Sequence, residues 1–256
     1  MKNTLTILGC GSSLGSPWIT NYSGNCNIKN MKNIRTRCGA HIQYKKISIL
    51  LDTSPDLKYQ FIKNKLINVD AVLYTHEHAD QTSGIFELRP FYWKNKKKIP
   101  VYGSKRTINE LKDKYTYCFK LRHGYKPIMT AKVIENKVLI KKDLISLDIN
   151  AFEVQHGLIK ATGYSFKGIA YISDCNYIPK ESMKYLKNLN FLIVDCLRIK
   201  KHPSHFNLDD VLRLVDEIKP KKTILTNLHV DFDYEKLKKR LPKGITPAFD
   251  GLKIIF

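Results

Sequence analysis

A chain of 256 residues with 43% hydrophobic and 26% charged residues has enough apolar mass for one large domain and too much for pervasive disorder. Its formal net charge of +21 points to an anionic partner, yet only eight of the 44 basic residues are arginine, so a polynucleotide is not required. The six cysteines form no Cys-x-x-Cys pair, no apolar leader precedes the first strand-like run, and nothing approaches the ~20 apolar residues of a membrane span, so a cytoplasmic protein with reduced thiols and no membrane partner is expected.

In chain order, residues 4–9 read as a first strand, followed by the glycine-serine loop Gly9-Cys10-Gly11-Ser12-Ser13-Leu14-Gly15. Such a loop either cradles phosphate on backbone N–H groups or makes a tight turn, and no helix pattern follows to support a nucleotide fingerprint. Residues 17–34 are polar and irregular, and 40–44 and 47–51 form a strand pair around Lys45-Lys46. Ser54-Pro55 is a helix start with a serine cap, and Leu57, Phe61 and Ile62 supply an apolar face. The apolar run Ala71-Val72-Leu73-Tyr74 is a buried strand that opens into Thr75-His76-Glu77-His78-Ala79-Asp80-Gln81. A strand at 99–103, a helix at 104–114 and short β-like runs at 132–140, 144–148, 151–155, 161–166 and 169–173 come next. A strand at 191–194 precedes Asp195-Cys196, and Asn207 caps a helix with Asp210 in the capping-box position. Lys222–Thr226 is a strand leading to Asn227-Leu228-His229, 233–241 is a basic helix, and 251–256 is a final strand. No linker or repeat divides the chain, which predicts a single domain over 1–256.

The His-x-His-x-Asp cluster leaves the carboxyl end of a strand, where α/β sheets place their chemistry. Two imidazoles and a carboxylate suit zinc or manganese, although a surface loop can also carry such a trio by chance. What argues against chance is that other strand ends deliver the same kind of residue: His156, Asp174 and His229.

This ordered series resembles the metallo-β-lactamase superfamily. The segments Gly9–Ser13, Arg35-Thr36-Arg37-Cys38, Asp52–Leu57, Phe86-Glu87-Leu88-Arg89-Pro90-Phe91, Phe206-Asn207-Leu208 and Pro247–Gly251 look like its phosphodiesterase branch, which includes the phosphoribosyl 1,2-cyclic phosphate phosphodiesterases. The resemblance implies an α/β fold, a four-layer αββα sandwich. It implies that His76, His78 and His156 hold a first metal, that Asp174 bridges to a second also bound by Asp80, and that His205 protonates the leaving group.

Three positions depart from that pattern. Gln81 and Asn227 stand where the family has ligand histidines, and an amide is a poor zinc ligand. His229 lies two residues past Asn227, ~7 Å further along a strand, and could serve only where the chain bends. Of the cysteine cluster that some members carry in the loop 21–27, only Cys26 is present, so that structural zinc is not expected. One or two ions per chain are thus expected. A metal-bound hydroxide would attack phosphorus, with Asp80 orienting the water or accepting its proton. Arg35 and Arg37, with Gln81 and Asn227, are candidates for holding the substrate. Asp52 and Asp195, which also come directly after apolar strands, read as loop caps or as partners orienting a ligand histidine.

The expected function is a metal-dependent phosphodiesterase acting on a small cyclic phosphate or nucleotide. The alternatives are an RNA-processing nuclease of the same superfamily and a nucleotide-binding module with a degraded metal site. A small phosphorylated substrate is the expected partner, RNA is the alternative, and a homodimer is compatible with either.

Overall fold

The computed structural model describes residues 2–256. The continuous apolar runs of the sequence are strands buried on both faces, because two sheets stack and each is also covered by helices. The first sheet contains β1 (Thr4–Gly9), β2 (Gly39–Tyr44), β3 (Ile47–Leu51), β4 (Ala71–Leu73), β5 (Ile99–Gly103) and β6 (Met129–Val133). The second contains β7 (Lys137–Lys142), β8 (Ile145–His156), β9 (Ile159–Phe166), β10 (Ile169–Ile172), β11 (Phe191–Asp195), β12 (Lys222–Thr226) and β13 (Ile245–Pro247). Last in the chain, β14 (Lys253–Ile255) returns to the first sheet, giving the orders β14-β1-β2-β3-β4-β5-β6 and β13-β12-β11-β10-β9-β8-β7.

Strand periodicity assigns each apolar side chain to a layer. Ile49 and Leu51 of β3 meet Ile149, Tyr171 and Ile193 between the sheets, whereas Leu50 turns outward. Outside the first sheet lie α1 (Leu57–Asn64), the single turn α2 (Ala79–Thr82), α3 (Arg89–Asn95), α4 (Lys105–Lys114) and α5 (Thr116–Phe119). There Leu57, Phe61, Ile108 and Leu111 pack on Leu50, Val72 and Val101. Outside the second sheet, α6 (Lys180–Met183), α7 (Leu208–Ile218) and α8 (Tyr234–Arg240) contribute residues such as Val211, Leu214 and Leu237 against Leu192 and Val194. The result is the expected αββα sandwich. No helix among the described residues is long and apolar enough to cross a membrane.

Three local expectations change. The run 132–140 is not one strand: β6 ends the first sheet, the chain crosses over at 134–136, and β7 begins the second. The runs 144–148 and 151–155 fuse into the 12-residue β8, which pairs with both β7 and β9. Helix α1 begins at Leu57 without a side-chain cap; the Ser54 hydroxyl instead donates to Gln60 Oε1, and Ile62 is exposed. The Asn207–Asp210 capping box of α7 is present as expected.

Topology brings the strand ends together. β3 and β4 run parallel, as do β10, β11 and β12. β8 and β10 both run antiparallel to β9, so β8 also ends on that edge. The two sheets are tied there by Thr162 N donating to Thr75 O (2.8 Å) and by the Tyr164 hydroxyl donating to Tyr74 O (2.6 Å).

Candidate metal centre

The first half of the centre is built outward from Asp52, which ends β3 in a left-handed conformation (φ 61°). Its carboxylate accepts Thr75 N at 2.7 Å and the Thr75 hydroxyl at 2.9 Å. With that hydroxyl proton committed, Thr75 Oγ1 is the acceptor for His76 Nδ1–H at 3.0 Å, which leaves His76 Nε2 as a bare lone pair. His156, at the end of β8, likewise donates Nδ1–H to the Ser204 carbonyl at 2.7 Å, freeing its Nε2. Both bare nitrogens face His78 Nδ1, at 3.0 and 3.3 Å.

A single proton on His78 Nδ1 can bond one of these nitrogens and leaves the other facing it without one. A zinc ion with tetrahedral bonds of about 2.05 Å separates its ligand atoms by about 3.3 Å, so the spacing fits such an ion. Burial favours the neutral form that ligation requires in two of them: it pushes His76 down to about 3 and also lowers His78.

The other half centres on Asp174, buried just after β10. Gln81 Nε2, from α2, donates to Asp174 Oδ2 at 3.4 Å, and Asn227 Nδ2 donates to Oδ1 at 3.3 Å. Burial acts to raise the Asp174 pKa, but the imidazoles of His76, His205 and His156 outweigh it and hold the group below the usual carboxylate value. Asp80 Oδ2 accepts from Gln81 Nε2 at 3.2 Å. Burial, then the Asp174 charge, pushes Asp80 up to about 6. Gln81 Oε1 is buried with no protein partner.

His205 stands beside both halves, its ring 4.7 Å from that of His156. Its Nδ1 lies 2.7 Å from Asp195 Oδ2 and 3.9 Å from Asp174 Oδ1. Burial acts against its positive charge, but Asp195 and then Asp174 prevail and raise it to about 9. Asp195 is itself pushed up to about 6, mainly by burial. At neutral pH the pair is therefore imidazolium and carboxylate.

The sequence candidates divide accordingly. One ligand atom each from His76, His78 and His156 lies within a 4.8 Å group, and His156, Asp174 and His205 form a second such group. Asp80, Gln81 and Asn227 border them. Arg35 is elsewhere: it is buried, and its guanidinium donates to the carbonyls of His229 (3.2 Å) and Phe232 (2.5 Å) and to Asn33 Oδ1 (2.9 Å). It anchors the 26–35 loop to the segment after β12. Arg37 Nε pairs with Asp56 at 3.0 Å. The amides of the Gly9–Gly15 loop are already taken, Cys10 N by Asp250, Gly11 N by Thr36 O and Ser12 N by Leu228 O, while Gly15 N closes a turn on Ser12 O.

His229 also departs from expectation. Asn227 adopts φ 59°, and the chain turns so that Leu228 N bonds Cys10 O and His229 N bonds Leu197 O. The bend carries the His229 ring to Trp18 (5.8 Å) and Asp231 (3.2 Å), outside both ligand groups. Sequence reasoning passed over Thr75 and Ser204. The first comes directly after Tyr74 and could have been noticed as a hydroxyl flanking His76; the second acts through its carbonyl, which no side-chain pattern marks.

The family described as "Beta-lactamase superfamily domain" matches residues 48–227. An octanoyltransferase of Porphyromonas gingivalis is 28% identical over 253 residues, 97% of this chain and 51% of that protein, so the chain spans about half the length of this relative. A solved structure described as a new diphosphatase from the PhnP family superposes with a TM-score of 0.90 at 31% identity, covering 100% of this chain and 98% of that one. The short form of human tRNase Z shares the fold, with a TM-score of 0.71 at 16% identity over 98% of each chain.

Proposed function

This chain belongs to the beta-lactamase superfamily and, within it, to the PhnP family, and on that premise we propose that it is a metal-dependent phosphodiesterase acting on a small cyclic phosphate or nucleotide. His76, His78, His156 and Asp174 would hold one zinc or manganese ion, which when bound supplies Lewis acidity towards water and phosphoryl oxygen. The remaining roles fall to the chain itself. His205 uses Nδ1 to bind Asp195, so the proton on Nε2 is the one available to the departing oxygen. Asp195 fixes that tautomer and keeps the ring charged near neutral pH. Asp80 accepts a proton from the attacking water, a role suited to a carboxyl raised to about 6. Gln81 and Asn227 hold Asp174 in a single orientation, one amide on each oxygen.

The observation that carries this reading is the placement of His205, held by Asp195, beside three converging imidazole nitrogens. P–O cleavage needs an electrophile and a proton donor at one place; a metal held by these nitrogens would supply the first and His205 the second. The PhnP-family neighbour described as a diphosphatase supports phosphoryl chemistry. The test is 31P NMR of a five-membered cyclic phosphodiester with the zinc- or manganese-loaded chain. Turnover that disappears in His78→Ala and in His205→Ala is expected. No turnover by a stoichiometrically loaded chain overturns the diester assignment, and cleavage of a P–O–P substrate alone would move the reaction to a diphosphatase.

The net charge of +21 favours a second reading, an RNA-processing nuclease. It requires RNA affinity that falls steeply with salt, and salt-independent or undetectable binding excludes it.

A further inference from the structure

The helical flank of the first sheet contains a cavity of about 430 Å3 that shares no residue with the metal centre. Part of its wall is the Phe86–Phe91 segment, which the metal centre does not use. Phe86 and Tyr117 stack there with centroids 4.5 Å apart and planes at 17°, and Tyr125 stands 56% exposed at the rim. Cys118 and Ile128 are its buried lining.

The charged lining is entirely cationic. Arg89, Arg122 and Lys126 face the cavity, and no carboxylate lines it. Among the described residues neither arginine enters an ion pair, nor do Arg35, Arg198 and Arg240, whereas Arg37, Arg106 and Arg213 do. Arg89 lies instead over the rings of Trp93 (4.7 Å) and Tyr125 (5.3 Å). In a chain whose positive charge is mostly lysine, two unpaired arginines meet at one aromatic cavity. Guanidinium forks match phosphate, and aromatic faces take planar bases regardless of their identity. A purely apolar ligand would leave both arginines uncompensated, and inorganic phosphate would leave the rings unused. The volume lies in the range of small-molecule sites.

We propose that this cavity binds one nucleotide, its base against the Phe86–Tyr117 pair and its phosphate on Arg89 and Arg122. The assignment stands independently of the reaction proposed for the metal centre.

The chain has two tryptophans, so Trp18→Phe leaves Trp93, beneath Arg89, as the sole reporter. In that full-length background AMP is titrated against Trp93 fluorescence, with equilibrium dialysis as a second measurement. Saturable AMP binding is expected, with adenosine and ribose 5-phosphate each at least ~10-fold weaker, since each lacks one half of the recognition. Arg122→Ala, on an exposed loop, is expected to weaken AMP by at least ~10-fold and to leave diester hydrolysis unchanged. His205→Ala is expected to leave AMP binding intact. The proposal is overturned by equal affinity for adenosine and AMP, by equal affinity for ribose 5-phosphate and AMP, by loss of binding in His205→Ala, or by no saturable binding in either measurement. Binding of a short oligoribonucleotide but not of AMP also overturns it, in favour of a strand-binding surface.

Discussion

The two halves of the centre contrast in where their protons point. On one side His76 Nε2, His156 Nε2 and His78 Nδ1 converge at 3.0 and 3.3 Å with at most one proton, that of His78, among them. On the other, the Gln81 and Asn227 amides donate to the two oxygens of Asp174 at 3.4 and 3.3 Å. The first arrangement leaves lone pairs in excess of protons and suits a cation. The second sets amide donors on both carboxylate oxygens and leaves Gln81 Oε1 without a protein partner. An amide where an imidazole would stand does more than remove a ligand: it supplies N–H groups that bond the Asp174 oxygens. By this logic we propose one metal position, with the other half as its hydrogen-bonded support.

The contrast is broken most severely by His78→Ala, which leaves two of the three converging nitrogens. We expect metal content to fall to background and diester turnover to drop by at least ~10³-fold, read by elemental analysis and 31P NMR. Asp195→Asn comes next, removing the charge that holds His205 protonated. Turnover at pH 8 should fall by ~10²-fold, and the alkaline limb of the rate profile should move below the value of about 9 set by the intact pair. The same pair has a stability signature. His205 is raised above its unfolded value of 6.5, so its contribution is complete below that pH and is lost as pH rises through about 9. Asp195, at about 6, is a carboxylate throughout that upper window, and the urea midpoint of the wild type should decline there more than that of Asp195→Asn.

Thr75→Val leaves the shape of the side chain but cuts the link from Asp52 to His76. Metal affinity should weaken by ~10–100-fold in a competition titration, with the fold intact. The gentlest change is the most discriminating. Gln81→His combined with Asn227→His should raise the metal content from one ion towards two per chain with little loss of turnover. A double variant that still binds one ion would remove the case made from the amides.

Much of this centre could be read before the fold was seen, because its side chains leave strands that are conspicuous as apolar runs. Val72-Leu73-Tyr74 and Phe191–Val194 cannot be other than buried, and the residues immediately beyond them must lie at a sheet edge. The capping box of α7 was equally readable, since Asn207 and Asp210 satisfy each other locally. The features that could not be read depend on partners distant in sequence. Arg35 has the composition of a phosphate fork, but the carbonyls that occupy it lie almost 200 residues away. His229 is diverted by a left-handed Asn227, and whether an asparagine adopts that conformation is decided by its neighbours in space. The run 132–140 is uniformly β-like in composition, and no local signal says that the chain changes sheets within it.

The position of the four ligand candidates has a mechanical consequence. His76 and His78 hang from the first sheet, and His156 and Asp174 from the second. An ion held among them is a brace across the seam of the sandwich, and separating the sheets would first require releasing it. Its binding energy then adds to cohesion, by about 4 kcal/mol when the free metal exceeds its dissociation constant a thousandfold. Chelation would loosen the molecule as well as silence it, because the four side chains that would grip the ion reach it from both sheets and add to the apolar core between them.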